Sequence, residues 1–309
     1  MKSILCYSDS PERALELLES ARALTGDAAS SVAINDEDLA TALCARGSRV
    51  YRVRDEKLIF ADHAGIARVV GQAARAAGAS IVMLASDRRG KPLAGMLAQA
   101  MGAGCLTDVR TMRGADGAIV CERMSLGGAT IAEQEIPGPA KVIALVPRAY
   151  AAAAEAPGGE IIDLETQPGP SKVTLVETRA KEKDGADIEG ADTLVAVGMG
   201  LKNREDLSLV QSLAHALGAA TGCSKPLATD RKWMPEDRII GLSGKKCAPN
   251  LAFLVGVSAQ VQFAAGIRDA GTIVSINTDE NAPSAKMADY FIIGDLYRIV
   301  PELVAKLKA

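Results

Sequence analysis

The chain has few of the residues on which metal centres and many active sites depend. Its 309 residues include only two histidines, His63 and His215, and neither has another candidate ligand at metal-binding spacing. The six cysteines form no C-x-x-C pair, and several lie in apolar segments, where reduced, buried thiols are typical. No pair of carboxylates indicates a glycosidase or a protease. We therefore expect neither a metal site nor a catalytic residue of these classes.

Long apolar runs and long basic runs are missing as well. No stretch approaches the roughly 20 apolar residues of a membrane span, and residues 1–9 contain too few apolar residues for a secretory signal. The formal net charge is only −3, and no basic run indicates nucleic acid as a partner. The sequence therefore predicts a cytoplasmic protein that does not insert stably into a membrane.

What the chain does contain is a repeated alternation of strand and helix patterns on an alanine-rich background. Aromatic residues make up only 3% of the chain, and small side chains suit close packing of helices on a sheet. The 309 residues suggest about two domains of roughly 150 residues each. Strand–helix repeats imply right-handed crossovers and parallel strands. The predicted fold is therefore α/β, with two domains that each hold a mainly parallel sheet flanked by helices.

The first half of the chain contains most of these repeats. The predicted strands are 3–8, 31–35, 80–86 and 141–146, and the predicted helices are 11–21, 36–46, 62–77 and 90–101. A glycine-containing turn between 109–113 and 118–123 predicts a hairpin at an antiparallel edge. One further strand, 174–178, is expected in this domain. The charged segment 180–190 predicts a boundary near residue 184, and so domains of 1–183 and 184–309.

In the second half, five small polar clusters follow apolar strand candidates. The predicted strands are 193–197, 251–255, 272–277 and 290–293, and the predicted helices are 204–217, 258–268 and 301–308. The clusters are 222–225, 241–245, 256–262, 276–277 with 281–283, and 294–296. Glycines let backbone N–H groups approach a pyrophosphate, and parallel sheets bind ligands at the carboxyl ends of their strands. The clusters therefore predict a dinucleotide site.

Three shorter motifs fail as nucleotide or nucleophile signatures. Residues 198–200 begin like a dinucleotide fingerprint, but Asn203 stands at its third glycine, so a tight turn is the preferred interpretation. Residues 241–246 lack the first glycine and the closing hydroxyl of a phosphate-binding P-loop. Ser258 is followed by Gln260 where a nucleophile elbow needs glycine. We interpret Ser258 as a helix N-cap or an anion contact.

In order and spacing, the clusters resemble the FAD domain of electron transfer flavoprotein alpha subunits, as do 233–234, 288–290 and 300–303. A weaker resemblance in the first domain rests on 89–91, 93–94, 107–108 and 127–128. Residues 89–90 and 233–234 are also similar to the branch that serves anaerobic acyl-CoA and carnitine metabolism. The resemblance implies an FAD-binding electron carrier that forms a heterodimer with a beta subunit, which its first domain contacts. It also implies transient contact with a flavin-dependent dehydrogenase, such as an acyl-CoA dehydrogenase, and leaves open bifurcation on a beta-subunit flavin.

Ten residues are implied in FAD binding by this resemblance. They are Lys225 against the isoalloxazine, Ser243 and Gly244 near flavin N5, Gly256, Ser258 and Gln262 along the pyrophosphate and ribityl chain, Phe263 at the N1/O2 edge, and Asn277, Asp295 and Leu296 at the adenosine end.

Three positions depart from the family pattern. Lys225 stands where arginine is usual, and it lacks the planar fork that can lie on a ring. Phe263 stands where histidine is usual, and it cannot donate a hydrogen bond to the flavin. Ala259 replaces a usual glycine. The sequence predicts FAD binding with less stabilisation of negative charge on the reduced flavin, and it leaves open a degenerate site.

Two alternative functions therefore remain. The first is a non-redox binding or assembly subunit whose flavin site is degenerate. The second is a nicotinamide-dependent oxidoreductase, against which the fingerprint broken at Asn203 argues.

Overall fold

The computed structural model describes residues 3–115, 118–126, 130–178 and 187–308. The chain divides into two compact units, Met1–Arg179 and Ala180–Ala309. Both units are α/β with a mainly parallel sheet flanked by helices, which confirms the predicted fold class. The boundary expected near residue 184 lies outside the described residues. Among the helices within the described ranges, none is long and apolar enough to cross a membrane.

The first unit is built on a nine-stranded sheet. Its described strands are β1 (Ile4–Tyr7), β2 (Ser30–Ile34), β3 (Arg49–Val53), β4 (Ile81–Ala85), β5 (Gly104–Ala115), β6 (Ala118–Ser125), β7 (Thr130–Glu135), β8 (Lys141–Leu145) and β9 (Glu160–Asp163). The spatial order is β7-β6-β5-β8-β4-β1-β2-β3-β9. The β5–β6 and β6–β7 pairs are antiparallel, which confirms the predicted hairpin at an antiparallel edge. The turn of that hairpin at 116–117 lies outside the described residues, as does 127–128.

Helices cover both faces of this sheet. The described ones are α1 (Pro11–Thr25), α2 (Glu37–Cys44), α3 (His63–Ala76) and α4 (Gly90–Met101). Pro11 begins α1, at a position where a helix needs no backbone N–H. Asp36 and Asp62 cap α2 and α3 by accepting hydrogen bonds from backbone N–H groups. The strands β1, β4 and β8 are buried along their whole length, so the core lies on both faces of the central strands.

The strand predicted at 174–178 is wrong. This segment forms no strand, and Leu175 and Val176 are 55% and 93% exposed, because their apolar pattern finds no neighbouring strand to pair with. The strand after β8 in the described chain is instead β9, which pairs in parallel with β3. Neither β3 nor β9 was predicted, since charged residues interrupt their apolar patterns. In the structure these charges pair across the strands, as Arg52 does with Asp163 at 2.7 Å.

The strand order of the first unit reverses at β1 and β4, because β2 and β3 lie on one side of β1 and β4 and β8 on the other. Parallel sheets bind ligands in the crevice at such a point. Here the remaining cavity measures only about 20 Å³, and Tyr7, Phe60 and Arg89 line it. The Arg89 guanidinium pairs with Asp9 and lies 5.9 Å from the centroid of the Phe60 ring. Side chains therefore fill this crevice.

Three of the charged residues at 87–91 have partners inside the first unit. The Asp87 carboxylate accepts hydrogen bonds from the N–H groups of Arg89 and Gly90 at 2.9 and 2.8 Å, which offsets the cations at the start of α4. Lys91 Nζ pairs with Asp108 at 2.6 Å. Contacts within the first unit thus account for Asp87, Arg89 and Lys91.

The second unit is built on a five-stranded sheet of order β11-β10-β12-β13-β14, all parallel. Its described strands are β10 (Thr193–Val197), β11 (Ala220–Cys223), β12 (Leu251–Val255), β13 (Thr272–Asn277) and β14 (Tyr290–Ile293), and its helices are α5 (Leu207–Leu217), α6 (Lys225–Thr229), α7 (Val261–Ala264) and α8 (Leu296–Leu307). The apolar runs of β10 and β12 form the centre of the sheet. Buried clusters pack on both of its faces.

Two helices of this unit differ from their prediction. The segment 258–268 contains only α7, because the backbone at Gly266 packs against the preceding loop. Gly266 accepts a hydrogen bond from Cys247 N at 2.8 Å, and a Cβ on it would lie 2.5 Å from Gly241 Cα. Helix α8 begins well before the predicted start at Pro301, since the Asp295 side chain caps it by accepting from Tyr297 N at 2.9 Å.

Candidate functional site

A cavity of about 880 Å³ runs along the carboxyl ends of the second sheet. Its wall includes residues that follow each of the five strands, from Ser224 after β11 to Asp295 after β14. Neighbouring strands lie about 4.8 Å apart, so the cavity extends over about 19 Å. Its volume falls near the top of the range of roughly 300–1,000 Å³ that is usual for ligand sites. The cavity therefore suits a long ligand, such as a dinucleotide.

The centre of the cavity is the crevice between β10 and β12, where the strand order reverses. Two backbones meet here: Gly200 N donates to Gly256 O at 3.0 Å, and a Cβ on Gly256 would lie 2.9 Å from Gly200 Cα. Gly256 also has a φ of +59°, which glycine adopts readily. Gly198 lines the same crevice. Because these three glycines carry no side chain, the crevice stays open. In open parallel α/β sheets, the pyrophosphate of a dinucleotide binds at this point.

The loop 241–245 forms another part of the wall, beside α7. Leu242 N donates to Gln262 O at 2.8 Å, and Gly241 N donates to Lys245 O at 3.0 Å, so the loop is fixed against the helix. Ser243 is exposed on the cavity wall. Phe263 is buried and also lines the cavity. This part of the wall therefore offers one hydroxyl and one apolar ring.

The β11 end of the cavity holds a cation and an unsatisfied hydroxyl. Lys225 is exposed at the first position of α6. The neighbouring Ser224 Oγ is buried and has no hydrogen-bond partner in the protein. A buried hydroxyl without a partner is destabilising, so a ligand that bonds Ser224 would remove a cost. Burial raises the pKa of the Cys223 thiol to about 12, which keeps this thiol neutral and unreactive.

The opposite end of the cavity is acidic, and the side-chain amide of Asn277 connects its two turns. Asn277 Nδ2 donates to Val257 O at 3.1 Å, and Asn277 Oδ1 accepts from Asp279 N at 3.1 Å. Asn277 thereby joins the turns after β12 and β13. Asp279 and Asp295 both line the cavity. Carboxylates at this position suit the hydroxyl groups of a ribose.

A hydrogen-bonded cluster joins the turn after β10 to the start of α8. Tyr297 OH donates to Asp206 Oδ2 at 2.5 Å and accepts from Lys202 N at 2.8 Å. Lys202 Nζ lies 5.0 Å from the centroid of the Tyr297 ring. Burial and then the Asp206 carboxylate raise the pKa of Tyr297, and the Tyr297 hydroxyl lowers the pKa of Asp206. The tyrosine therefore remains a neutral donor and Asp206 an ionised acceptor.

The structure brings nine of the ten predicted FAD-binding residues to this one cavity. They are Lys225, Ser243, Gly256, Ser258, Gln262, Phe263, Asn277, Asp295 and Leu296. Gly244 does not line it, and a Cβ there would meet Ile239 Cγ2 at 2.7 Å, so loop packing explains this glycine. The roles of these residues toward a ligand remain predictions. Ser258 is not a helix N-cap, because Gln260 occupies that position before α7.

Sequence reasoning missed six polar residues on the same wall. They are Lys202, Ser224, Gln260, Thr278, Asp279 and Tyr297. Each lies within a predicted cluster or no more than two positions beyond a predicted glycine, asparagine or leucine. Extending every cluster, and the 198–200 turn, by two residues would have found them, because a turn at a strand end exposes several successive positions.

The charges of the wall are divided between its two halves. Lys202 and Lys225 belong to the β10–β11 half, and Asp279 and Asp295 belong to the β13–β14 half. A ligand with an anionic centre and a hydroxyl-bearing end complements this division. The wall's described side chains include no histidine.

Models of known protein families match both units of the chain. Residues 187–268 match the electron transfer flavoprotein FAD-binding domain, and residues 12–168 match the electron transfer flavoprotein domain. The chain is also similar to the proteins named Protein FixB from Escherichia coli SMS-3-5, Escherichia coli K12 and Shigella flexneri. Each is 34% identical to it over 307 residues, which are 97% of this chain and 96% of the relative. The chain belongs to the electron transfer flavoprotein alpha family.

Membership of the electron transfer flavoprotein alpha family confirms the resemblance seen in the sequence and supports an electron-transfer role. The FAD-binding match includes the loop 241–245, the turn at Gly256 and Phe263. Asn277 and Asp295 lie beyond the matched residues. In this alpha-family chain the cavity itself connects them to the matched part, since all of these positions line one continuous wall.

Proposed function

We propose that this protein binds one FAD across the carboxyl ends of β10 to β14 and carries electrons as the alpha subunit of a heterodimer with a beta subunit. It would accept electrons from a flavin-dependent dehydrogenase, such as an acyl-CoA dehydrogenase, and pass them to a redox acceptor in the cytoplasm. The observation that carries the proposal is that the FAD-binding family match and nine predicted ligand contacts converge on a cavity of about 880 Å³.

Three features of the cavity fit an extended FAD. Glycines at 200 and 256 allow a pyrophosphate to approach the backbone. The unpartnered Ser224 hydroxyl and the Lys225 ammonium stand at one end, and ribose-binding carboxylates stand at the other. These features favour the flavin ring at the β11 end and the adenosine at the β14 end.

Bound FAD supplies the electron-transfer chemistry. The chain's own residues hold and orient it: Ser224 and Ser243 offer hydroxyl hydrogen bonds near the ring, and Lys225 offers a positive charge there. The crevice at Gly256 receives the diphosphate, and Asp295 accepts a hydrogen bond from a ribose hydroxyl. Phe263 excludes water from one edge of the ring.

The three departures from the family pattern all lie on this wall. Phe263 provides no hydrogen bond, so Lys225 is the cation left to stabilise negative charge at the β11 end. Ala259 has a φ of +55°, and a side chain in this left-handed region costs about 1–2 kcal/mol. We expect a flavin that binds, but whose reduced form has its negative charge stabilised less than in a site with a histidine donor.

The first test is an absorbance spectrum of the chain, purified with its beta subunit, before and after addition of FAD and gel filtration. Retained flavin bands, at about one flavin per alpha chain after subtraction of any flavin that the beta subunit binds alone, are the expected result. Bleaching of these bands by an acyl-CoA dehydrogenase and its substrate would then support electron transfer. A complex that remains colourless after loading would favour the non-redox subunit with a degenerate flavin site.

A further inference from the structure

The wall of the cavity contains a second cation that the FAD-binding predictions did not use. Lys202 is exposed in the turn after β10. It belongs to the same turn as Gly198 and Gly200, whose backbones form the crevice with Gly256. Its position is therefore central, between the ring-binding end at Lys225 and the acidic end at Asp295.

Lys202 is also held in place from two sides. Its backbone N–H donates to Tyr297 OH at 2.8 Å, and its ammonium lies 5.0 Å from the centroid of the Tyr297 ring. Tyr297 is in turn anchored by its 2.5 Å hydrogen bond to Asp206. An ammonium on an aromatic face keeps its other N–H donors free for an acceptor. The latch formed by Tyr297 and Asp206 thus orients an ammonium whose N–H donors can reach a ligand, while the Asp206 carboxylate partly offsets its charge.

We propose that Lys202, oriented by Tyr297, binds the diphosphate of the dinucleotide, an inference that rests on the proposed function of the cavity. The central crevice is where a pyrophosphate approaches the backbone. Backbone N–H groups there supply partial charges, and Lys202 supplies the full positive charge that a diphosphate needs. Lys225 lies at the β11 end, so the two lysines serve different parts of the ligand.

The test compares four full-length chains, wild type, Lys202→Gln, Tyr297→Phe and Lys286→Gln, in calorimetric titrations with FAD and separately with ADP. Lys286 is the matched control, since it is exposed in the same unit and does not line the cavity. Loss of one charge-assisted hydrogen bond should weaken both ligands about 10- to 100-fold in Lys202→Gln. Tyr297→Phe should weaken both by a smaller factor, and Lys286→Gln should change neither.

Using ADP separates this inference from the proposed function. If no flavin binds but ADP does, and Lys202→Gln weakens ADP, the flavin proposal fails and the diphosphate contact stands. If Lys202→Gln weakens FAD alone, Lys202 contacts the ring and the inference is wrong. Equal effects of Lys202→Gln and Lys286→Gln, or a wild-type chain that binds neither ligand, would overturn it as well. Lys202→Arg should recover most of the affinity, because arginine keeps the charge and the donors.

Discussion

The two sheets of this protein reverse their strand order in the same way, yet one crevice is filled and the other is open. At the end of β1 and β4, Tyr7, Phe60 and Arg89 leave a cavity of only about 20 Å³. At the end of β10 and β12, glycines leave a cavity of about 880 Å³. The topology marks a possible site in both units. The side chains at the strand ends decide which of the two crevices is available to a ligand.

Filling the open crevice of the second unit should have the largest effect on stability and on FAD affinity. Gly256→Ala adds a Cβ that would lie 2.9 Å from Gly200 Cα at a φ of +59°. Left-handed strain of about 1–2 kcal/mol and overpacking of about 1–3 kcal/mol should add up to a loss of about 2–5 kcal/mol in the free energy of unfolding. FAD affinity should fall about 10- to 100-fold. Urea unfolding and a flavin titration measure the two effects.

The matched control for this variant is Gly218→Ala. Gly218 has almost the same φ, +61°, but no atom lies within 4 Å of its would-be Cβ. Gly218→Ala should lower the free energy of unfolding by about 1–2 kcal/mol, from left-handed strain alone. Its FAD affinity should stay unchanged. Equal losses of stability in the two variants would mean that the close approach of Gly200 and Gly256 is unimportant.

Removing the unsatisfied hydroxyl at the β11 end tests whether Ser224 contributes only when a ligand occupies the crevice. Ser224→Ala should leave the stability of the ligand-free chain unchanged or slightly raised, because the hydroxyl has no partner there. It should weaken FAD about 3- to 10-fold, the value of one neutral hydrogen bond. Thermal unfolding with and without FAD separates the two effects.

Ser275→Ala is the corresponding control, since Ser275 Oγ is equally buried and unpartnered but does not line the cavity. It should leave FAD affinity unchanged. A Ser224→Ala chain that binds FAD as tightly as this control would remove Ser224 from the site.

Relaxing the strained turn should stabilise the open crevice slightly. Ala259→Gly removes left-handed strain of about 1–2 kcal/mol and adds a backbone entropy cost of about 0.5–1 kcal/mol, so a net gain of up to about 1.5 kcal/mol is expected. Ala265→Gly, at a φ of −60°, has no strain to lose and should cost about 0.5–1 kcal/mol. Urea midpoints of the two variants should therefore move in opposite directions, and a shift of both in the same direction would contradict the strain at Ala259.

Opening the filled crevice should have the smallest effect. The ion pair of Arg89 with Asp9 is largely exposed on the arginine side, and such pairs contribute about 0–1 kcal/mol. Arg89→Ala should therefore change stability by less than about 1 kcal/mol and leave the number of flavins per chain unchanged. A second flavin on this variant, detected by absorbance, would show that the first crevice is a latent site.

The sequence predicted the buried parts of the fold well and the exposed parts poorly. Central strands such as β4, β10 and β12 carry continuous apolar runs that identify them without tertiary information. β3 was missed because its arginines are stabilised by ion pairs with β9, a distant segment. The apolar pattern at 174–178 was misleading, since a strand needs a neighbour as well as β propensity.

The turns that form the candidate site could be predicted from the sequence. The way in which they pack into one cavity could not, because it depends on contacts between distant segments. The short α7 illustrates this, because its length is set by contact between Gly266 and Gly241. The latch between Tyr297 and Asp206 joins residues from opposite ends of the unit. No local pattern around either residue indicates that contact.

The most direct test of the central claim is a crystal structure of the chain with its beta subunit and FAD. We predict one flavin in the second unit, with its ring beside Ser224 and Lys225, its diphosphate at Gly256 and its adenosine beside Asn277 and Asp295. Flavin density bound at the end of β1 and β4, or an empty second unit in crystals grown with saturating FAD, would contradict this prediction.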